Sequence, residues 1–205
     1  MGRRNEHSRG EIREMTINKA EAMVRVEGRQ VLTARHLMSE IGYTAGTLYQ
    51  VFEGLEDVVH HVNVRTLSRL ADELAVATQD LGSPSEHLLA FSLAYAGFAQ
   101  REYHLWRMAF EHAPNPETEV GTELQSCLDR IQRLLAEVLH QTSNQMSEAE
   151  VQNSATAFLG GVHGTCAFTL NFHPDHTDIG LLKHTVEGLA KPFVKGIEVL
   201  GQQIA

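Results

Sequence analysis

Apolar residues recur along the chain at intervals of three and four, the spacing of a single helix face, and turn signals separate the runs. Ile12, Met15, Ala20, Met23 and Val24 form one stripe over Arg9 to Gly28, where the glycine supplies a stop. Thr33 caps a short helix ending at Ile41, Gly42 and Tyr43 turn the chain, and Thr44 caps a second short helix running to about Phe52. Val58, Val59, Val62, Leu67, Leu70 and Leu74 predict a long helix from Leu55 to about Leu81. Ser83-Pro84-Ser85-Glu86 combines an N-cap serine, a first-turn proline and a glutamate three residues on, which opens a helix to about Gln100. Further helices are expected over about Glu102 to His112, Glu117 to His140, Ser147 to Phe172 and Leu181 to Leu200, the last broken or kinked at Pro192. The fold class is therefore all-α: a small N-terminal three-helix module, residues 1–54, joined to a larger helical domain, residues 55–205.

Composition narrows the function. Two cysteines, Cys127 and Cys166, make no disulfide framework, and no charged leader runs into an apolar stretch, so a cytoplasmic setting is expected. The most apolar run, Leu88 to Ala99, carries Ser92 and Tyr95 and falls short of the ~20 residues a bilayer requires, so no membrane partner is expected. Net charge is −9 but unevenly spread. Residues 1–54 hold eight basic and seven acidic side chains, while residues 55–205 hold nine and nineteen. The near-neutral N-terminal end is the one suited to phosphates, although only a motif can carry a claim of DNA binding.

That motif runs from Leu32 to Phe52. Leu37 and Ile41 bury the first helix, Gly42 permits the positive φ of a tight turn, and Leu48 and Phe52 bury the second. Ala45, Gly46, Thr47, Tyr49 and Gln50 are left facing outward. Small residues at the helix start admit close approach to a major groove, Thr and Gln can bond base edges, and a Tyr hydroxyl suits a phosphate. With Thr33, Arg35 and Thr44 these make up the expected contacts to double-stranded operator DNA. The segment resembles the DNA-binding domain of the TetR family, whose pattern runs from a capping Thr through a Gly turn to a Leu-Tyr-x-x-Phe ending; the likeness covers about residues 9–62. Three positions depart from it. Met38 stands where a small residue is usual, Val51 where His is frequent and Leu55 where Lys is common, so phosphate contacts must come from Arg3, Arg4, Arg29, Arg35 and backbone N–H groups.

The second half resembles a TetR-family ligand domain more loosely, at Leu105 to His112 and Gly160 to Phe168. That resemblance implies a homodimer through about residues 147–172 and 179–201, where Gly160, Gly161 and Gly164 would let helices approach closely. Phe91, Tyr95, Phe98, Tyr103, Trp106, Phe110 and His163 are the expected lining of a small-molecule effector site, with Tyr95, Tyr103 and His163 as polar anchors; each aromatic is equally suited to a hydrophobic core. The implied function is a ligand-responsive regulator, a repressor released from a palindromic operator by a small apolar or aromatic effector. No cofactor is expected. Twelve histidines raise the alternative of metal or haem sensing, at His60-His61, His163-x-x-Cys166 or His173-Pro174-Asp175-His176. A second alternative is a helical interaction module that has lost operator binding. No phosphate loop, nucleophile elbow or zinc-protease motif points to an enzyme.

Overall fold

Caps set where the helices begin. The computed structural model describes residues 7–112, 114–142, 146–172 and 179–203. The order is α1 (Arg9–Glu27), a 3-10 turn (Arg29–Val31), α2 (Ala34–Glu40), α3 (Ala45–Leu48), α4 (Leu55–Ala77), α5 (Pro84–Arg101), α6 (Tyr103–Glu111), α7 (Glu119–Thr142), α8 (Glu148–Phe172) and α9 (Ile179–Gln203). No strand occurs among the described residues, and the all-α class stands. No described helix is long and apolar enough to cross a membrane.

At the start of α8, Ser147 and Glu150 form the expected capping box: the Glu150 N–H donates to the serine hydroxyl at 3.4 Å and the Ser147 N–H to the glutamate at 2.8 Å. Ser83 caps α5 in the same way through the Glu86 N–H, 3.2 Å. A third box opens α1, where Ser8 accepts from the Glu11 N–H and Glu11 accepts from the Ser8 N–H. Its Ser-x-x-Glu signature stands in the sequence, where the apolar stripe alone marks the helix. Pro192 lies inside α9 without ending it, so of the two expected effects, a break or a kink, the break does not occur.

By compactness the chain divides into one unit of residues 1–67 with 102–125 and a second of residues 68–101 with 126–205. The functional boundary expected after Gly54 does not coincide with this division. α4 enters both units, and α6 belongs to the first.

In the first unit α1 packs on α2 and α6, and α2 on α3. Ile12, Ile17, Ala20, Val24, Leu37, Met38, Leu48, Phe52, Val58, Val62, Leu105 and Met108 make one core. Asn63, fully buried on α4, ties α6 to it by donating from Nδ2 to the His112 carbonyl at 2.7 Å, which satisfies one of the orphan acceptors at that helix end. Gly121 in the first turn of α7 leaves room for the preceding loop, since a Cβ there would stand 2.0 Å from the Asn115 carbonyl oxygen. In the second unit α5 packs on α8 and α9, and α8 on α9. Phe91, Tyr95, Phe98, Phe158, Val162, Cys166, Leu182 and Val186 fill that core.

Candidate functional site

The outward face expected of the helix-turn-helix is built on a well-filled base. Thr33 caps α2 by accepting from the His36 N–H at 3.1 Å. Gly42 adopts φ +81°, the left-handed conformation that the turn requires. Leu48 is fully buried and Phe52 nearly so, whereas Thr33, Arg35, Thr44, Gly46 and Gln50 are exposed, Ala45 and Thr47 are half-buried, and Tyr49 is 63% exposed. An exposed tyrosine of that degree beside a buried leucine has its phenol free to reach outward.

Two local expectations need correction. The recognition helix was expected to reach Phe52, yet regular α-helix ends at Leu48; the chain then tightens into i→i+3 bonds, Gln50 N–H to Thr47 O at 3.1 Å and Val51 N–H to Leu48 O at 3.0 Å, as short helix ends commonly do. Thr44 occupies the N-cap position but makes no side-chain cap; its hydroxyl lies 3.3 Å from that of Thr47.

The three unusual positions are accommodated by packing. Met38 is fully buried, with the Thr16 hydroxyl 3.8 Å from its sulfur and its carbonyl accepting from the Tyr43 N–H at 2.9 Å. Val51 and Leu55 are half-buried against the same core. The basic side chains, by contrast, are mostly engaged. Arg29 pairs with Glu56 and donates to the Leu32 carbonyl, Lys19 pairs with Glu40 at 2.7 Å, and Arg25 bridges Glu21 and Glu102. Arg9 and Arg35 are exposed and carry no ion pair among the described residues. Arg9 was not singled out in the sequence, whose pattern gives it no helix face to serve. Arg3 and Arg4 lie outside the described residues.

The effector residues fall in both units. Phe91, Tyr95, Phe98 and His163 lie in the second. Phe91 stacks on Tyr95 at 6.3 Å, and the Tyr95 hydroxyl sits 2.9 Å from His163 Nδ1. All three aromatics are at most 1% exposed, so they close the core in this state. Burial pushes the His163 pKa below its ordinary 6.5, which keeps the ring neutral at pH 7. Tyr103, Trp106 and Phe110 lie in the first unit, where Trp106 is buried and packs on Phe110 at 6.0 Å.

Burial also pushes the Cys166 thiol up to about 12, so it stays protonated and unreactive near neutral pH. Among the described residues no three His, Cys, Asp or Glu side chains are placed to hold a metal ion. His173 to His176, the richest grouping in the sequence, lies outside the described residues.

On α8 and α9 the glycines divide. Gly161 faces Leu189 of the same chain, where a Cβ would come within 3.1 Å, while Gly160 and Gly164 open onto free space. The Phe168 and Phe172 rings meet at a tilt, centroids 4.9 Å apart, and are 70% and 67% exposed, and Leu181 and Val199 of α9 are half exposed.

The chain thus carries a helix-turn-helix with a bare outward face and a second all-helical unit. Residues 88–185 match the family described as "Tetracyclin repressor-like, C-terminal domain". Over those residues the chain is similar to that family's C-terminal domain. A search of curated proteins finds no match by sequence. Among solved structures, the TetR family transcriptional regulator PfmR from Thermus thermophilus superposes with a TM-score of 0.67 at 17% identity, covering 88% of this chain and 97% of that one. The transcriptional regulator FadR from Bacillus subtilis, solved with stearoyl-CoA, gives 0.66 at 14%, covering 86% and 96%. AibR in complex with isovaleryl coenzyme A and operator DNA gives 0.62 at 18%, covering 91% and 96%.

Proposed function

We propose that this chain is a TetR-family transcriptional regulator, a repressor that binds a palindromic operator as a homodimer and is released by a small effector with an apolar or aromatic body. The observation that carries the DNA-binding half is the exposed face Thr44, Gly46, Tyr49 and Gln50 standing on buried Met38, Leu48 and Phe52. Retained packing of that kind also favours operator binding over the reading in which the module has lost it. Thr33, Arg35, Thr44, Ala45, Gly46, Thr47, Tyr49 and Gln50 are the proposed contacts, with Arg9 added. Because the other described cations of residues 7–54 are held by carboxylates or by other protein groups, few phosphates are neutralised directly. The logarithm of affinity should accordingly fall with the logarithm of salt at a shallow slope, about 0.9 for each phosphate contacted.

Dimerisation through α8 and α9 rests on the outward glycines and the exposed apolar side chains around them. Unrelieved glycines inside helices cost about 1 kcal/mol each relative to Ala, and a partner helix seated on them gives that cost a use.

For the effector, Phe91, Tyr95, Phe98 and His163 of the second unit are the proposed contacts. The apolar acyl groups bound by FadR and AibR support an effector with an apolar body. Since these side chains are closely packed, the effector must select a state in which they part, and the Tyr95–His163 hydrogen bond is the polar contact it would replace. α4, which begins directly after the recognition segment and continues into the second unit, is the covalent route for the signal.

The test is mutational. Tyr49→Phe should weaken binding to every duplex by ~1 kcal/mol, the net worth of one hydrogen bond, and leave sequence preference alone. Thr47→Ala and Gln50→Ala should relax the preference at individual bases. A Tyr49→Phe variant with altered preference and full affinity would reverse these assignments.

A further inference from the structure

One histidine nitrogen in the DNA-binding unit is claimed by two groups that cannot share it. His61 Nε2 on α4 lies 2.5 Å from Arg13 Nη2 of α1 and 3.2 Å from Asp57 Oδ1 one turn earlier on α4. A guanidinium only donates and a carboxylate only accepts. Neutral His61 with its proton on Nδ1 accepts from Arg13; protonated His61 donates from Nε2 to Asp57 and turns a positive edge toward the guanidinium. Nε2 without a proton serves Arg13 and Nε2 with one serves Asp57. In the neutral ring the guanidinium, at 2.5 Å the nearer of the two, selects the Nδ1–H tautomer, and a second proton on the ring then hands Nε2 to Asp57.

Both partners are tied to the recognition segment. Arg13 lies over the Phe52 ring at 5.2 Å, and the Phe52 ring is 6.0 Å from that of His61. Phe52 closes the recognition segment, its N–H donating to the Leu48 carbonyl at 2.9 Å. Asp57, through its other oxygen, accepts from the Glu53 N–H at 3.1 Å at the start of α4. The groups facing His61 are Arg13 from α1, Asp57 and His60 from α4, and Glu123 from α7, at a cleft of about 720 Å³ also lined by Glu56 and Glu119.

We infer that His61 is a proton-operated switch: neutral, it holds Arg13 against Phe52, and protonated, it turns to Asp57 and frees Arg13, so that mild acid loosens the seat of the recognition helix. Burial, with Arg13 adding to it, pushes the His61 pKa below its ordinary 6.5, and burial does the same to His60. The sign follows. A folded value below the unfolded one means that the unfolded chain binds protons first on acidification, so the stability held in the neutral contact is complete above about 6.5 and is lost as pH falls through the folded value. The exchange of partners stands on the geometry alone; its effect on DNA rests on the operator-binding reading.

The experiment is a titration of the full-length protein from pH 7.5 to 5, following the His61 ring and the Arg13 side-chain resonances by NMR. The Arg13 signals should move with the same midpoint as His61. Asp57→Asn should lower that midpoint and Arg13→Gln should raise it, each by about one pH unit, because they remove the charge that favours or opposes the proton. In His61→Gln the side-chain oxygen accepts from Arg13 at every pH, and the Arg13 signals should stay fixed. Arg13 signals that ignore the His61 titration, or midpoints unmoved in both charge variants, would overturn the switch, whether or not His61→Gln folds. In a parallel arm, affinity for a duplex selected at pH 7.5 should fall at least tenfold further by pH 5.5 in the wild type than in His61→Gln. Partner exchange with no such excess loss would overturn the regulatory role, while exchange in a protein that binds no duplex at any pH would support the switch and count against the operator-binding reading.

Discussion

Phe168→Glu is expected to convert the proposed dimer to a monomer at micromolar concentration and to lower affinity for a two-half-site duplex by 100-fold or more. Phe168 is 70% exposed in the single chain and its ring packs at a tilt against an equally bare Phe172, centroids 4.9 Å apart, which is costly for side chains left in water. Fully burying a phenylalanine contributes about 1.5–3 kcal/mol, and a two-fold interface counts each substitution twice. A carboxylate in its place adds the cost of an unpaired buried charge. The loss should therefore exceed about 4 kcal/mol, some three orders of magnitude in the dimer constant. Light scattering checks it, with Phe168→Leu as the variant that keeps the dimer. A Phe168→Glu chain of dimer mass would place the interface elsewhere.

Leu48→Ala should abolish detectable operator binding while leaving the proposed dimer intact. Leu48 is fully buried and is the one buried residue of a four-residue helix, so nothing else in α3 anchors it. Truncating a core leucine costs about 2–5 kcal/mol, the larger values where the surroundings cannot collapse into the space. Here the neighbours Leu37, Met38 and Phe52 belong to the same small core. Thermal unfolding should show the loss, light scattering should show an unchanged dimer, and Leu48→Met should recover most of both stability and binding. Binding that survives the truncation would mean that Thr47, Tyr49 and Gln50 are not the reading face.

Much of this was legible in the chain, for reasons that can be named. The reading face follows from period: Leu48 and Phe52 four apart fix which side of the segment is buried, and the remainder must face out. Capping boxes are local chemistry, so Ser147 with Glu150 marks its helix without reference to anything distant. What stayed hidden is tertiary. No pattern within Arg29 or Lys19 tells that Glu56 and Glu40 will hold them, and so Arg29, expected at phosphates, is engaged instead. Nor does Tyr103 to Glu111 announce that it packs on α1. The effector residues are ambiguous for a related reason: an aromatic that will line a cavity and one that fills a core have the same spacing, and Phe91, Tyr95 and Phe98 are close-packed here. The three glycines of α8 look equivalent in sequence, and only the neighbouring helix separates Gly161 from Gly160 and Gly164.

The central claim, a homodimer reading a palindromic operator, is tested most directly by selecting bound duplexes from random-sequence DNA with the full-length protein at pH 7.5 and sequencing them. The selected pool should hold an inverted repeat whose half-sites lie about one helical turn, or a multiple of it, apart, with preferences that weaken in Thr47→Ala and Gln50→Ala. A single unrepeated site, or a selected pool no richer in any sequence than the starting one, would contradict it.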